Sequence, residues 1–119
     1  TVPEMYFFTI KNGELHHWYT ETSIYGRLLN NGALLRERHG AAPEHINYEY
    51  YELDANAKEQ FSIYFSWWDK ATVYGKEYPE FYEINGQEVS KKEYEEQTKK
   101  YLTIGTDKIV WYDKEETPH

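Results

Sequence analysis

Cysteine is absent from the 119 residues, which removes disulfides, thiolate nucleophiles and zinc-thiolate centres at once. Long apolar runs are missing too: nothing approaches the ~18 consecutive apolar residues of a membrane span, so no direct membrane insertion of this segment is expected. Cations are scarce, with 13 Lys plus Arg against 21 Asp plus Glu and a formal charge of −8. Nucleic-acid affinity is built mainly from clustered cations, so neither DNA nor RNA is an expected partner, and the same deficit disfavours anionic membranes. No glycine-rich phosphate loop is present, because Gly40-Ala41-Ala42 ahead of Pro43 lacks the Lys and the helix a P-loop requires. Ser23, Ser62, Ser66 and Ser90 are the only serines, and none lies in a G-x-S-x-G elbow. Catalytic residues and cofactors are therefore not assigned.

What the chain has in quantity is aromatic side chains: 13 tyrosines, 5 phenylalanines and 4 tryptophans beside a single methionine. Tyrosine joins an apolar ring to a wet hydroxyl and suits thin sheets whose side chains reach from the interior to solvent. The length fits a single domain over residues 1–119, burying roughly 65% of the unfolded surface without help from a metal or disulfide. A start at Thr1, with no signal-like apolar segment behind it, is what a mature form or an excised domain would have.

Turn signals are regular. Asn12-Gly13, Asn31-Gly32 and Asn85-Gly86 each separate two strand-like runs, and Asn-Gly is the dipeptide best suited to the positive-φ pair of a type I′ hairpin turn. A fourth reversal is expected at residues 54–58. In "FSIYFSWW" Phe61, Ile63, Phe65 and Trp67 alternate with Ser62, Tyr64, Ser66 and Trp68, so this strand has a defined inner face. In "INYEYYEL" the inward phase shifts after Tyr50, which implies either a bulge or a strand covered on both faces. Residues 40–45 read as a loop around Pro43, and "KIVWY" at 108–112 reads as a last strand.

The one persuasive helix spans residues 90–102. Ser90 and Glu93 have the spacing of a capping box, Val89 and Tyr94 that of a hydrophobic staple, and Tyr94, Thr98, Tyr101 and Leu102 share one face. Glu95 with Lys99 and Glu96 with Lys100 are spaced for i,i+4 pairing.

Site chemistry is sparser. His16 and His17 are adjacent on a strand and point to opposite faces, and His39 with His45 supplies two ligands where zinc needs three or four, so no metal site is assigned. The 21 carboxylates single out no pair for hydrolysis. Trp18, Tyr64 and Trp68 fall opposite the stronger apolar stripe and are the candidate ligand-binding aromatics, able to stack sugars or receive a protein. Packing against a neighbouring domain would produce the same enrichment. Arg36 and Arg38 share a strand face as a small basic spot, either paired with cross-strand acids or anchoring an anionic partner group.

The order "NNGALLRERHGAAPEHINYEYYELDANAK" followed by "FYEINGQEVSKKEYEEQTKKY" resembles exported or lipoprotein-anchored domains of Gram-positive, often gut-dwelling, bacteria, over residues 12–102. The resemblance is carried chiefly by the closing Y-x-I-N-G-x-E-V-S-x-x-E-Y motif. It implies an extracytoplasmic, cell-surface location and offers no activity or catalytic residue to transfer. Such domains commonly carry a D-x-D-G-type segment like a calcium loop just ahead of the module; Val2 to Ile10 holds one acid, Glu4, so calcium is not carried over.

The expected fold is α+β, a curved antiparallel meander of about six to eight strands with one helix packed on it. The expected function is a non-catalytic extracytoplasmic binding domain whose partner is a protein or carbohydrate at the cell surface. The alternatives are a carbohydrate-active or hydrolytic accessory enzyme using paired carboxylates, and a structural spacer of a surface protein. The cap is directly testable: Ser90→Ala should lower stability by about 0.5–2 kcal/mol, read from the denaturation midpoint.

Overall fold

Period-2 alternation rules the chain as far as Ser90, and the computed structural model, which describes residues 4–22, 25–41 and 44–110, is correspondingly built of strands. In order these are β1 (Met5–Lys11), β2 (Glu14–Glu21), β3 (Gly26–Leu28), β4 (Leu34–Ala41), β5 (Glu44–Leu53), β6 (Glu59–Trp68), β7 (Ala71–Val73), β8 (Lys76–Tyr78), β9 (Phe81–Ile84) and β10 (Gln87–Val89), followed by helix α1 (Lys91–Leu102). Six strands form one antiparallel sheet in the order β10-β9-β6-β5-β4-β3, while β1-β2 and β7-β8 are separate hairpins. The fold is α+β, a meander with a single helix. Its radius of gyration is 17.7 Å, against about 13–14 Å for a compact chain of this length. The excess corresponds to an elongated outline of 60 × 31 × 23 Å.

The helix covers one face. Leu35 on β4, Tyr50 on β5 and Ile63 and Phe65 on β6 join Leu29, Ala33 and Tyr94 in the buried cluster. Phe65 is fully buried, and burying such a side chain is worth about 1.5–3 kcal/mol. Tyr94 meets Phe65 edge-on at 6.0 Å between centroids, and Tyr101 leans on Tyr50 at 4.8 Å. The staple residue Val89 packs against the same cluster. Burial pushes the Tyr94 phenol up to about 12, so it stays neutral and apolar in character at ordinary pH.

Ser90 caps the helix as its spacing implies, its Oγ accepting the Glu93 N–H at 3.1 Å. The reciprocal bond from the Glu93 carboxylate is not formed among the described residues. Neither expected Glu-Lys pair forms: Glu95 meets Lys91 at 4.0 Å, and Lys100 donates to Gln97 at 3.5 Å. All these groups are solvated, where such contacts are worth a few tenths of a kcal/mol and neighbouring rotamers compete.

The turns sort by geometry. Asn12-Gly13 and Asn85-Gly86 have φ near +50° and +80° at their two positions, as type I′ demands. Asn31-Gly32 differs: only Gly32 has positive φ, the Gly32 N–H donates to the Leu29 carbonyl and the Leu29 N–H to the Ala33 carbonyl. That is a three-residue loop, a type I turn closed by a left-handed residue, and it frees Asn30 for another task. Asn30 donates to Asp107 and accepts the Lys108 N–H, while its own N–H reaches the Gly105 carbonyl. The segment after the helix is thereby tied to the β3-β4 loop, and Lys108 to Val110 form no strand, contrary to the sequence expectation for 108–112; residues 111 and 112 lie outside the described residues. A fifth hairpin, β7-β8, turns on Tyr74-Gly75, with Tyr74 at φ +50°. No Asn or Asp marks it, so sequence reading passed it over.

Two further expectations are refined. The 40–45 loop is shorter than its composition implies, since Ala41 already pairs with Glu44; residues 42 and 43 lie outside the described residues. The β5 register against β6 runs unbroken from His45 to Glu52, so Tyr51 lies on the strand's second lined face, and an irregularity falls only between Glu52 and Leu53, where β6 carries the extra residue Gln60.

The β5-β6 turn repeats the type I geometry with Ala57 in the left-handed position at φ +60°. An L side chain there costs roughly 1–2 kcal/mol that glycine escapes, offset in part by the flexibility glycine adds to the unfolded chain. Ala57→Gly should therefore raise stability by about 0.5–1 kcal/mol, a rise in melting temperature measurable by calorimetry.

Candidate functional site

Cross-strand register fixes what lies on the face away from the helix. Successive rows across β4, β5, β6 and β9 read Gly40-His45-Trp68-Phe81, then Arg38-Asn47-Ser66-Glu83, then Arg36-Glu49-Tyr64. In the first row His45 stacks on Trp68 with centroids 4.3 Å apart and planes 22° apart, and Phe81 lies on the other side of Trp68 at 5.8 Å and 7°. Strands are spaced ~4.8 Å, so in-register rings on three neighbours stand on edge and cover one another's faces. A side chain on Gly40 would collide with the His45 ring, whose nearest atom lies 1.9 Å from where a Cβ would sit. The glycine thus leaves the imidazole room beside Trp68. Trp68 Nε1 is buried with no acceptor among the described residues, a cost of roughly 1–3 kcal/mol carried by the row.

Two rows away, Tyr64 is 40% exposed and meets Tyr51 edge-on at 5.9 Å. The Tyr51 hydroxyl donates to Glu49 at 2.8 Å, and burial together with that bond pushes the phenol up. Tyr64 and Trp68, two of the sequence-predicted aromatics, therefore share this open face. Trp18 does not join them.

Trp18 is displaced by a bulge. Phe7 pairs with Tyr19 and Phe8 with His17, leaving Trp18 as the extra residue, so that Trp18 and Tyr19 both turn toward the main sheet. The Trp18 indole N–H donates to the Asp54 carbonyl at 2.8 Å, and the ring forms one wall of a cleft between the β1-β2 hairpin and the end of the sheet.

Arg36 and Arg38 part company as well. Glu21, with no solvent exposure, accepts from Arg36 Nη2 at 3.0 Å and Nε at 3.2 Å. The Tyr19 hydroxyl accepts from the same Nη2 at 3.3 Å, Glu49 lies 3.8 Å away, and the guanidinium sits 5.5 Å over the Tyr51 ring. Hydrogen bonding to Glu21 holds the Arg36 pKa above its ordinary value, so the charge is permanent. The Glu21 carboxylate occupies the place of a missing side chain on Gly26, where a Cβ would come within 2.4 Å of it. Arg36 is thus bound up in fastening the β1-β2 hairpin to the sheet. Arg38 is half exposed and has one distant acid, Glu49 at 3.8 Å.

The histidines are dispersed. His16 lies 3.7 Å from Glu14, His17 contacts Thr20 at 2.7 Å, His39 pairs with Glu37 at 2.8 Å on the helix side of the sheet, and His45 lies in the row opposite. No group of three metal-ligating side chains occurs among the described residues. In the cleft, Glu52 and Asp54 stand two residues apart on one wall. Asp54 accepts the Asn56 and Lys58 amides at 2.8 and 2.9 Å, which hold its carboxyl below the usual range, the opposite of what a general acid needs.

Sequence reading weighed His45 only as a metal ligand, not as a ring partner of Trp68, and it missed Phe81 and Glu21. The two ring contacts were recoverable by setting β5, β6 and β9 in register from their turns; a buried Glu on a hairpin edge leaves no such signal. No family model, curated protein or solved structure matches the chain.

The two arginines should respond differently to loss of charge. Arg36→Met strands a buried carboxylate and should cost about 3–5 kcal/mol, whereas Arg38→Met should cost under about 1 kcal/mol; urea denaturation of the pair measures both.

Proposed function

We propose that the chain is a non-catalytic interaction module, working outside the cytoplasm at a cell surface, that engages a protein partner through the open face of its six-stranded sheet. The observation that carries this reading is the His45-Trp68-Phe81 row with Tyr51 and Tyr64 beside it, on the face that α1 leaves uncovered. Tyr and Trp at the centre of an exposed patch are the side chains that dominate protein interfaces. A polar row of Arg38, Asn47, Ser66 and Glu83 between the aromatic groups supplies hydrogen-bonding groups for register.

Protein is favoured over carbohydrate on geometric grounds. Sugar rings stack on an aromatic face, and both faces of Trp68 are taken by its neighbours. The hydrolytic alternative asks for two carboxylates facing each other at about 5–10 Å, and those of the cleft stand on one wall with Asp54 engaged by amides. A spacer role would leave no aromatic patch open, yet Tyr64 is exposed and Trp18, Trp67 and Trp68 are each only part-buried. The extracytoplasmic setting rests on the resemblance carried by the closing motif at residues 82–94, with which the lack of cysteine is compatible.

Tyr64 can be changed without opening the core. A photo-crosslinking residue at position 64 should capture a surface protein from intact cells, and a Trp68→Phe background should reduce the yield severalfold; the same probe at Lys99 on the helix should capture none. Equal capture from both positions, or binding to a glycan array that depends on Trp68, would remove the reading.

A further inference from the structure

The cleft beneath the β1-β2 hairpin is a second site, distinct from the open face and independent of the reading just given. Its volume is about 610 Å³, within the range of roughly 300–1,000 Å³ typical of small-molecule sites. Its apolar lining comes from Phe8 and Trp18 of the hairpin and from Leu28 and Leu53 of the sheet. The Trp18 ring is fixed, because the bulge aims it and the Asp54 carbonyl satisfies its indole N–H. Its one polar atom is therefore paired within the protein, and the rest of the ring is apolar surface.

The charges of the cleft sort by whether the protein already uses them. Asp54 is fully engaged: Oδ1 accepts the Asn56 and Lys58 amides and Oδ2 accepts Gln60 Nε2 at 3.2 Å. Glu52 is half engaged, since Oε2 accepts the Tyr50 hydroxyl at 2.8 Å while Oε1 has no partner among the described residues. That hydroxyl is itself held by Asn31 Nδ2 at 2.8 Å, so the Glu52 carboxylate is oriented from behind by a part-buried relay. The Lys11 ammonium forms no ion pair or hydrogen bond among the described residues, although the protein as a whole carries a formal charge of −8. One carboxylate oxygen and one ammonium are left over, on a cleft whose lining includes two aromatic residues.

We propose that this cleft binds a small zwitterion with an apolar arm, a free aromatic amino acid or a short peptide, its ammonium on Glu52, its carboxylate on Lys11 and its arm against Trp18 and Phe8. Each charge alone is a weak contact at a partly solvated site; a ligand carrying both, with an arm between the rings, uses all the free groups together.

The test is an NMR titration of the isotopically labelled chain, following the Trp18 indole N–H signal assigned with Trp18→Phe. L-phenylalanine and the dipeptide phenylalanyl-leucine are compared with phenylalanine amide, which lacks the negative charge, and N-acetylphenylalanine, which lacks the positive one. A zwitterion should move the Trp18 signal saturably, and each single-charge analogue should bind about tenfold or more weakly, as loss of one charge-assisted contact predicts. Glu52→Gln should abolish the advantage over N-acetylphenylalanine and Lys11→Gln the advantage over the amide. Tighter binding of the amino acid or of the dipeptide identifies which source the site fits. Equal affinity for the amide or the acetyl compound overturns the proposal, as does a Trp18 signal that stays still at millimolar zwitterion. Because the analogue comparison uses the unaltered protein, it stands even if a variant folds poorly.

Discussion

A carboxylate with no exposure to water survives in so thin a protein because a guanidinium meets it with two hydrogen bonds. The Glu21-Arg36 pair is the point at which the β1-β2 hairpin is made part of the domain. A two-stranded hairpin is marginal alone, and this one buries Phe7 but leaves Tyr6, Phe8, Ile10 and Leu15 partly open to solvent. Once Glu21 is fastened, the rest follows in sequence: Tyr19 meets Arg36, the bulge turns Trp18 to the Asp54 carbonyl, and a cleft is left between hairpin and sheet. Gly26 belongs to the same arrangement, since any side chain there would occupy the carboxylate's place.

The abundance of both tyrosine and acid has a common local cause. Residues two apart on a strand share a face, and the Tyr50 and Tyr51 hydroxyls donate to Glu52 and Glu49 in this way. Tyr6 with Glu4 and Tyr82 with Glu80 repeat the contact. A neutral donor thus serves many carboxylates for which the chain has too few lysines and arginines. The hydrogen-bonded carboxylates also disfavour the tyrosinate, and Tyr50, which is buried besides, is pushed up to about 12.

What was legible in the sequence was whatever is decided locally. "FSIYFSWW" declared both its faces, Ser90 declared the start of the helix, and Asn12-Gly13 and Asn85-Gly86 declared their turns, because each is fixed by residues within a few positions. The failures were competitions won at a distance. Asn30 drew residues 105–108 to a loop and so denied them a ladder. Arg36 and Arg38 look alike on paper and differ only because a buried acid from another hairpin reaches one of them. Of the candidate site, the strand face bearing Tyr64 and Trp68 could be read directly, but the ring row needed three strands in register, and the fate of Trp18 needed a bulge that alternation does not announce.

The glycine beneath His45 has a consequence for what the open face offers. By letting the imidazole lie against Trp68 it closes the stack from one end, as Phe81 closes it from the other, so the electron-rich faces are turned inward upon each other. What points outward is a line of ring rims, the positive side of each aromatic quadrupole. The natural complement of such rims is a carbonyl oxygen or the flat of another ring.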